Sequence, residues 1–267
     1  MLRSALLALL LLLAGCAGRA SLGPELATQA GWRWEVLATP GFDLASARRA
    51  GSGELAVIYL EGDGLAYLGP AEVSPDPTPT DPVALRLALA HPAGVALGWL
   101  GRPCQYVMPG RNCAPTVWTA QRFSPTALAA MDAGVSQLKA RLGARRLVLV
   151  GYSGGGALAA LLAARRDDVV ALVTVAANLD IAGWLASHRL PPMAGALDPA
   201  REAAPALGRL PQWHFSGTED RVTGATALRG FALRLPPGAP ARFTDVPGFG
   251  HTCCWARDWP RLLPALP

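Results

Sequence analysis

The stretch Leu147-Val148-Leu149-Val150-Gly151-Tyr152-Ser153-Gly154-Gly155-Gly156-Ala157-Leu158 decides the fold. Its first four residues are apolar and read as a strand buried on both faces. A glycine-rich turn follows, then an alanine- and leucine-rich run that predicts a helix. Ser153 therefore sits where a strand turns sharply into a helix. Such a turn strains the backbone at the serine, and a side chain at Gly151 or Gly155 would collide with the adjoining strand and helix. Taken alone, Gly151 to Gly155 is equally well a glycine-rich turn with an ordinary serine. The strand before it and the helix after it make Ser153 a candidate nucleophile.

The same alternation extends outward from this stretch. Leu55 to Leu60, Val95 to Leu100, Val169 to Ala176, Leu210 to Phe215 and Arg242 to Val246 read as strands. Helices are predicted over Val83 to Ala90, from Ser124-Pro125 onward, after Ser153 through Arg165, over Thr223 to Leu233, and at the Trp- and Leu-bearing C-terminus. In the second of these, Leu128, Met131, Val135, Leu138 and Leu142 form one apolar stripe, and Gly143 stops it. Two earlier segments, Trp32 to Leu37 and Phe42 to Ala47, alternate as strands and are expected to pair antiparallel at one edge. The expected fold class is α/β: a mostly parallel central sheet of about eight strands flanked by helices. The proline-rich residues 65–82 predict an extended loop, with Asp81-Pro82 offering a cap and a first helical position. Residues 177–209 are irregular and are expected to form a small cap over a pocket.

A chain of 267 residues suffices for one large domain. The net charge of +5 is carried almost wholly by arginine, since Lys139 is the only lysine. The arginines are scattered, which argues against a nucleic-acid surface. There are no C-x-x-C pairs and no histidine grouping apart from His251 beside Cys253, so neither a metal nor another cofactor is expected.

Met1-Leu2-Arg3 supplies a positive start, and Ala5 to Ala14 is almost purely apolar but short for a membrane span. It ends in Leu13-Ala14-Gly15-Cys16, which resembles the lipobox of bacterial lipoproteins. That resemblance implies a signal peptide over residues 1–15, lipidation of Cys16, and a lipidated tether over 16–30 ahead of a domain spanning 31–267. Ala17 in place of an aspartate implies the outer membrane of the cell envelope, facing the periplasm. Export implies an oxidising compartment. Beyond Cys16 the chain carries Cys104, Cys113, Cys253 and Cys254, which allow three pairings. One of them needs the adjacent pair Cys253–Cys254, which closes a small ring. The other two tie the loop holding Cys104 and Cys113 to the segment beside His251.

Ser153, then Asp220, then His251 each follow a predicted strand, in the chain order of the α/β-hydrolases, and over about residues 32–267 the chain resembles that superfamily. The resemblance implies a serine nucleophile, His251 as its base and Asp220 as the acid that orients the base. Asp180, after the preceding strand, and Glu219 are the competing acids. His91, His188 and His214 are weaker candidates for the base. The oxyanion hole is expected from the N–H groups of Gly154 and Asp63. Where the superfamily commonly shows a His-Gly start, this chain has Glu61-Gly62-Asp63-Gly64, and two carboxylates there would be repulsive unless they point away or pair, for instance with Arg102 or Arg122. Trp99, Tyr67, Trp118 and Trp184 are candidates for the pocket wall, each equally well placed as core or loop packing. The implied activity is hydrolysis of carboxylic esters through an acyl-enzyme by a monomer acting on a small-molecule ester and held to a membrane by its lipid. Thioesterase, peptidase and acyltransferase chemistry use the same residues. A non-catalytic envelope binding module is the alternative of another class.

Overall fold

The computed structural model describes residues 18–263, so Cys16 and the apolar run before it lie outside the described residues. Residues 18–29 form helix α1, where the sequence suggested only a tether. Strands β1 (Arg33–Ala38), β2 (Asp43–Arg49) and β3 (Ser52–Leu60) follow. Then come α2 (Val83–Leu89), β4 (Val95–Leu100), α3 (Pro115–Trp118), α4 (Pro125–Arg141), β5 (Arg146–Tyr152), α5 (Gly154–Ala163) and β6 (Val169–Val175). The chain continues through α6 (Ile181–Ser187), α7 (Pro199–Glu202), β7 (Gln212–Gly217), α8 (Thr226–Ala232), β8 (Ala241–Val246) and α9 (Trp255–Leu262).

The eight strands form one sheet in the order β1-β2-β4-β3-β5-β6-β7-β8. As expected from the early alternating segments, β1 pairs antiparallel with β2, and β2 pairs antiparallel with β4. From β4 to β8 every pairing is parallel, because each of these strands is reached by a crossover. Leu147, Val148, Leu149 and Val150 have no exposed surface, as a central strand covered on both faces requires. Alternate residues of β5 feed two cores. Leu147 and Leu149 join the core with α4 and α5, while Val148 and Val150 join the one with α2 and α9.

Local signals place the helix ends. The Ser124 side chain accepts from the Ala127 N–H at 3.2 Å, with Pro125 at the first helical position, so α4 begins where its sequence predicts. Gly143, at φ +66°, ends it. Helix α2 differs from expectation. Asp81 does not cap it; the carboxylate of Glu61, at the end of β3, accepts from the Ala84 and Leu85 N–H groups at 3.2 and 3.3 Å. Helix α8 begins three residues later than predicted, after a Thr223-containing turn.

Candidate active site

Parallel strands deliver their C-terminal ends to one edge of the sheet, and Asp63, Ser153, Asp220 and His251 follow β3, β5, β7 and β8 at that edge. Ser153 stands between β5 and α5 at φ +51° and ψ −124°, a conformation that a side-chain-bearing residue rarely holds. Close packing enforces it. A Cβ on Gly151 would come within 2.4 Å of the Gly156 Cα, and one on Gly155 within 2.3 Å of the Leu60 carbonyl oxygen. Gly155→Ala is therefore expected to push α5 off the end of β3 and cost about 1–3 kcal/mol, read as a lower midpoint in thermal unfolding.

The structure brings Ser153, His251 and Asp220 into one hydrogen-bonded row. Ser153 Oγ lies 3.0 Å from His251 Nε2, and His251 Nδ1 lies 2.9 Å from Asp220 Oδ2. The Asp220 side chain is fully buried and that of His251 is 16% exposed, so the row runs from interior to pocket. Burial alone would raise the Asp220 pKa. The hydrogen bond and charge of His251, the Thr223 side chain and the Val222 N–H outweigh that and hold it at about 2. Asp220 is thus an ionised acceptor, which obliges His251 to carry its proton on Nδ1 and present Nε2 as the acceptor for the serine hydroxyl.

Asp220 is itself fixed. Its Oδ1 accepts from the Val222 and Thr223 N–H groups at 2.8 and 3.1 Å, and the Thr223 hydroxyl lies 2.8 Å from Oδ2. Sequence reasoning passed over Thr223; Asp220 makes an Asx-turn with the N–H two residues on, at Val222, and that turn brings the next residue, Thr223, against the carboxylate. It also passed over the residues that hold the His251 segment. The Tyr152 hydroxyl donates to the His251 carbonyl at 3.2 Å, and the buried Trp255 indole donates to the same carbonyl at 3.0 Å.

The segment Glu61-Gly62-Asp63-Gly64 packs directly on this row, since a Cβ on Gly62 would lie 3.2 Å from Ser153 Cβ. Neither the Asp63 nor the Gly154 N–H takes part in a hydrogen bond among the described residues, which leaves both as donors. Both acids are dealt with separately. Glu61 turns inward, where Trp99 Nε1 donates to it at 3.1 Å beside the Gly62, Ala84 and Leu85 N–H groups. Burial still pushes its pKa up to about 6 against those hydrogen bonds. Asp63 lies between Arg102, with which it is hydrogen-bonded, and Arg122, whose Nε is 3.0 Å from Oδ2. The ring of Phe123 lies under both guanidinium groups at 5.1 and 5.2 Å. Two cations around one carboxylate leave the Asp63–Arg102–Arg122 cluster net positive, which offsets the Glu61 charge beside it, so the segment does not oppose a developing oxyanion. The Arg102 side chain is 5% exposed. Asp63→Ala is expected to leave it as an uncompensated buried charge and cost about 3–5 kcal/mol, measurable by urea unfolding.

A cavity of 330 Å³ opens over Ser153 and His251, walled by Leu65, Tyr67, Pro79, Trp184 and Val222. No protein-family model matches the chain, and no curated protein matches it. Solved structures do match. An α/β serine hydrolase without a lid from Xanthomonas campestris has a TM-score of 0.56 at 14% identity, over 88% of this chain and 97% of its own. A membrane phospholipase A, described as a bacterial virulence factor, has 0.58 at 19% identity, over 97% and 94%. Est1E of Butyrivibrio proteoclasticus with ferulic acid bound has 0.59 at 13% identity, over 86% and 97%. The chain has the α/β-hydrolase fold.

Within the α/β-hydrolase fold the remaining predicted residues separate cleanly. Asp180 is a helix cap, accepting from the Gly183 N–H at 3.0 Å at the start of α6, and does not reach His251. His91 bonds Tyr59, His188 bonds its own helix, and His214 is buried against Thr174. Of the four aromatic candidates, Tyr67 and Trp184 line the pocket. Trp99 stacks on Trp34 in the core, and Trp118 is buried with its indole donating to Ser74. The cysteines pair as Cys104–Cys113 and Cys253–Cys254. Each bridge is internal to its own segment, so the cross-link between the 104–113 loop and the His251 segment does not form. Cys104 points into the core, where Cys113 is 5.6 Å away between Cα atoms.

Proposed function

We propose that this protein is a serine hydrolase that cleaves carboxylic esters through an acyl-enzyme, working from the cell envelope on a lipidated Cys16. The observation that carries the chemistry is the row Ser153 Oγ, His251 and Asp220 at 3.0 and 2.9 Å, open to a cavity. In the first half-reaction Ser153 Oγ attacks the ester carbonyl while His251 Nε2 takes its proton. The carbonyl oxygen gains charge and is met by the Gly154 and Asp63 N–H groups, with the net positive Asp63–Arg102–Arg122 cluster behind them. His251 then gives its proton to the departing alcohol. In the second half-reaction it takes one from water, which releases the acid and restores the serine. Asp220 stays ionised throughout and balances the imidazolium. A cavity of 330 Å³ is small for a ligand site and suits a short acyl group rather than a buried long chain.

The test is labelling by a fluorophosphonate probe, which needs an activated serine. The parent protein should label and turn over p-nitrophenyl butyrate, and Ser153→Ala should do neither. A folded parent that takes no label removes the hydrolase reading. The anchor is tested separately by intact mass: mature protein from membranes should begin at Cys16 and carry a diacylglyceryl adduct, and a mass without it removes the anchor.

A further inference from the structure

Helix α1 is packed onto the domain rather than hanging from it. Gly23 and Ala27 are buried one turn apart, with Leu22 and Leu26 partly buried beside them. The contact at Gly23 is close, since a Cβ there would meet Tyr106 at 2.8 Å and Trp34 at 3.0 Å. At the start of the helix Arg19 lies 3.8 Å from Asp76. Asp76 belongs to the proline-rich loop that forms one wall of the Ser153 pocket. The chain therefore leaves the described structure beside that loop. Cys16 is three residues before Arg19, a span of about 10 Å at most.

The loop carries a hairpin. Ser74 N–H donates to Ala66 at 3.0 Å, Tyr67 bridges Val73, and Leu68 N–H donates to Glu72 at 2.8 Å. Its apolar side chains point out. Tyr67, Leu68 and Val73 are 43%, 52% and 37% exposed, and Val222 across the pocket mouth is 45% exposed. These are four of the eight large apolar side chains exposed among the described residues; Tyr67 and Val222 line the Ser153 pocket, and Leu68 and Val73 stand beside Tyr67 in the hairpin.

We propose that the 66–74 hairpin and the Val222 rim rest on the bilayer that holds the Cys16 anchor, so that the pocket opens on the lipid surface and draws an amphiphilic ester from it. Resting on the anchor and the ester chemistry proposed above, this assigns the rim one occupant. A lipid on Cys16 enters the membrane within a few residues of a helix whose Arg19 lies beside Asp76, two residues past the hairpin, so the bilayer is the surface nearest the rim. Tyr67 has the amphipathic ring suited to the headgroup boundary. Glu72, exposed at the turn, keeps the contact at that boundary rather than in the hydrocarbon. The substrate then keeps its long apolar part in the bilayer while its scissile carbonyl reaches Ser153, which reconciles a small cavity with a lipid-facing mouth.

The test uses the full lipidated chain in phosphatidylethanolamine–phosphatidylglycerol vesicles. Nitroxides are attached at Leu68→Cys and, on the far edge of the sheet, at Glu54→Cys. The label at 68 should be accessible to oxygen and shielded from a nickel complex, and the label at 54 open to both. A label at 68 open to nickel on protein of the lipidated mass overturns the hairpin contact alone. The same result on protein lacking the adduct overturns the anchor with it. A label at 68 shielded from both reagents marks a protein partner or a second copy and overturns the bilayer assignment. These readouts do not depend on turnover, so they stand apart from the hydrolase test. In the same vesicles, Leu68→Glu with Val73→Glu should lower turnover of hexadecyl butyrate about ten-fold and leave soluble p-nitrophenyl butyrate unchanged. Equal turnover of both esters by variant and parent overturns the proposal.

Discussion

Ser153→Ala is expected to lower kcat for p-nitrophenyl butyrate about a million-fold while leaving the fold intact. The size follows from the geometry. Ser153 Oγ is the atom that His251 Nε2 faces at 3.0 Å, and alanine removes that atom without disturbing the row behind it. The residual rate would come from binding and from the Gly154 and Asp63 donors, which alanine leaves in place. Because the three groups act as a unit, His251→Ala added to Ser153→Ala should cost little more. Stability provides an internal control. Alanine keeps the strained φ of +51° that serine holds, so the thermal midpoint should barely change. Ser153→Gly relieves that strain and should be equally inactive yet more stable by about 1 kcal/mol. A tenth of parental turnover surviving in Ser153→Ala would remove Ser153 as the nucleophile.

The chain was most legible where its signals are local. The run from Leu147 to Leu158 states its own strand, turn and helix, because burial on both faces leaves no polar residue from Leu147 to Val150 and close packing demands glycine after it. Sheet composition followed for the same reason, and so did the chain order of Ser153, Asp220 and His251. What stayed hidden depends on partners distant in sequence. Glu61 reads as an acid in an oxyanion loop. Its place as the cap of α2 is set by amides more than twenty residues on and by Trp99 on the neighbouring strand. For Asp63 the sequence offers Arg102 and Arg122 as partners, as found, but no local sign says that both converge on it while Glu61 turns away. Helix α1 was missed because its buried face is built on Gly23 and Ala27, which give almost no hydrophobic period to read. Trp99 and Tyr67 illustrate the same limit for aromatic residues. Composition offers both to the pocket, and only the strand pairing that buries one and the hairpin that exposes the other tells them apart.

Asp220→Asn should lower kcat/KM about ten-thousand-fold at neutral pH by reversing the His251 tautomer. The Val222 and Thr223 N–H groups both point at Oδ1, at 2.8 and 3.1 Å, so an amide at this position must keep its oxygen there. Its NH₂ then faces His251 Nδ1, where Oδ2 stood, and a donor facing Nδ1 drives the ring proton to Nε2. The ring then presents an N–H to Ser153 Oγ in place of a lone pair and cannot take the serine proton. The backbone hydrogen bonds survive, so the variant should fold. Its unfolding in acid carries the second signature. The folded-state pKa of Asp220 is about 2, below its ordinary value of 3.8. The stability it supplies is therefore fully present above about pH 4 and is lost as pH falls through about 2. Thermal midpoints taken between pH 6 and pH 2 should fall more steeply for the parent than for Asp220→Asn over that lower window. Parallel curves would mean that Asp220 is not held ionised by His251, and unchanged turnover in the variant would mean that another acid orients the base.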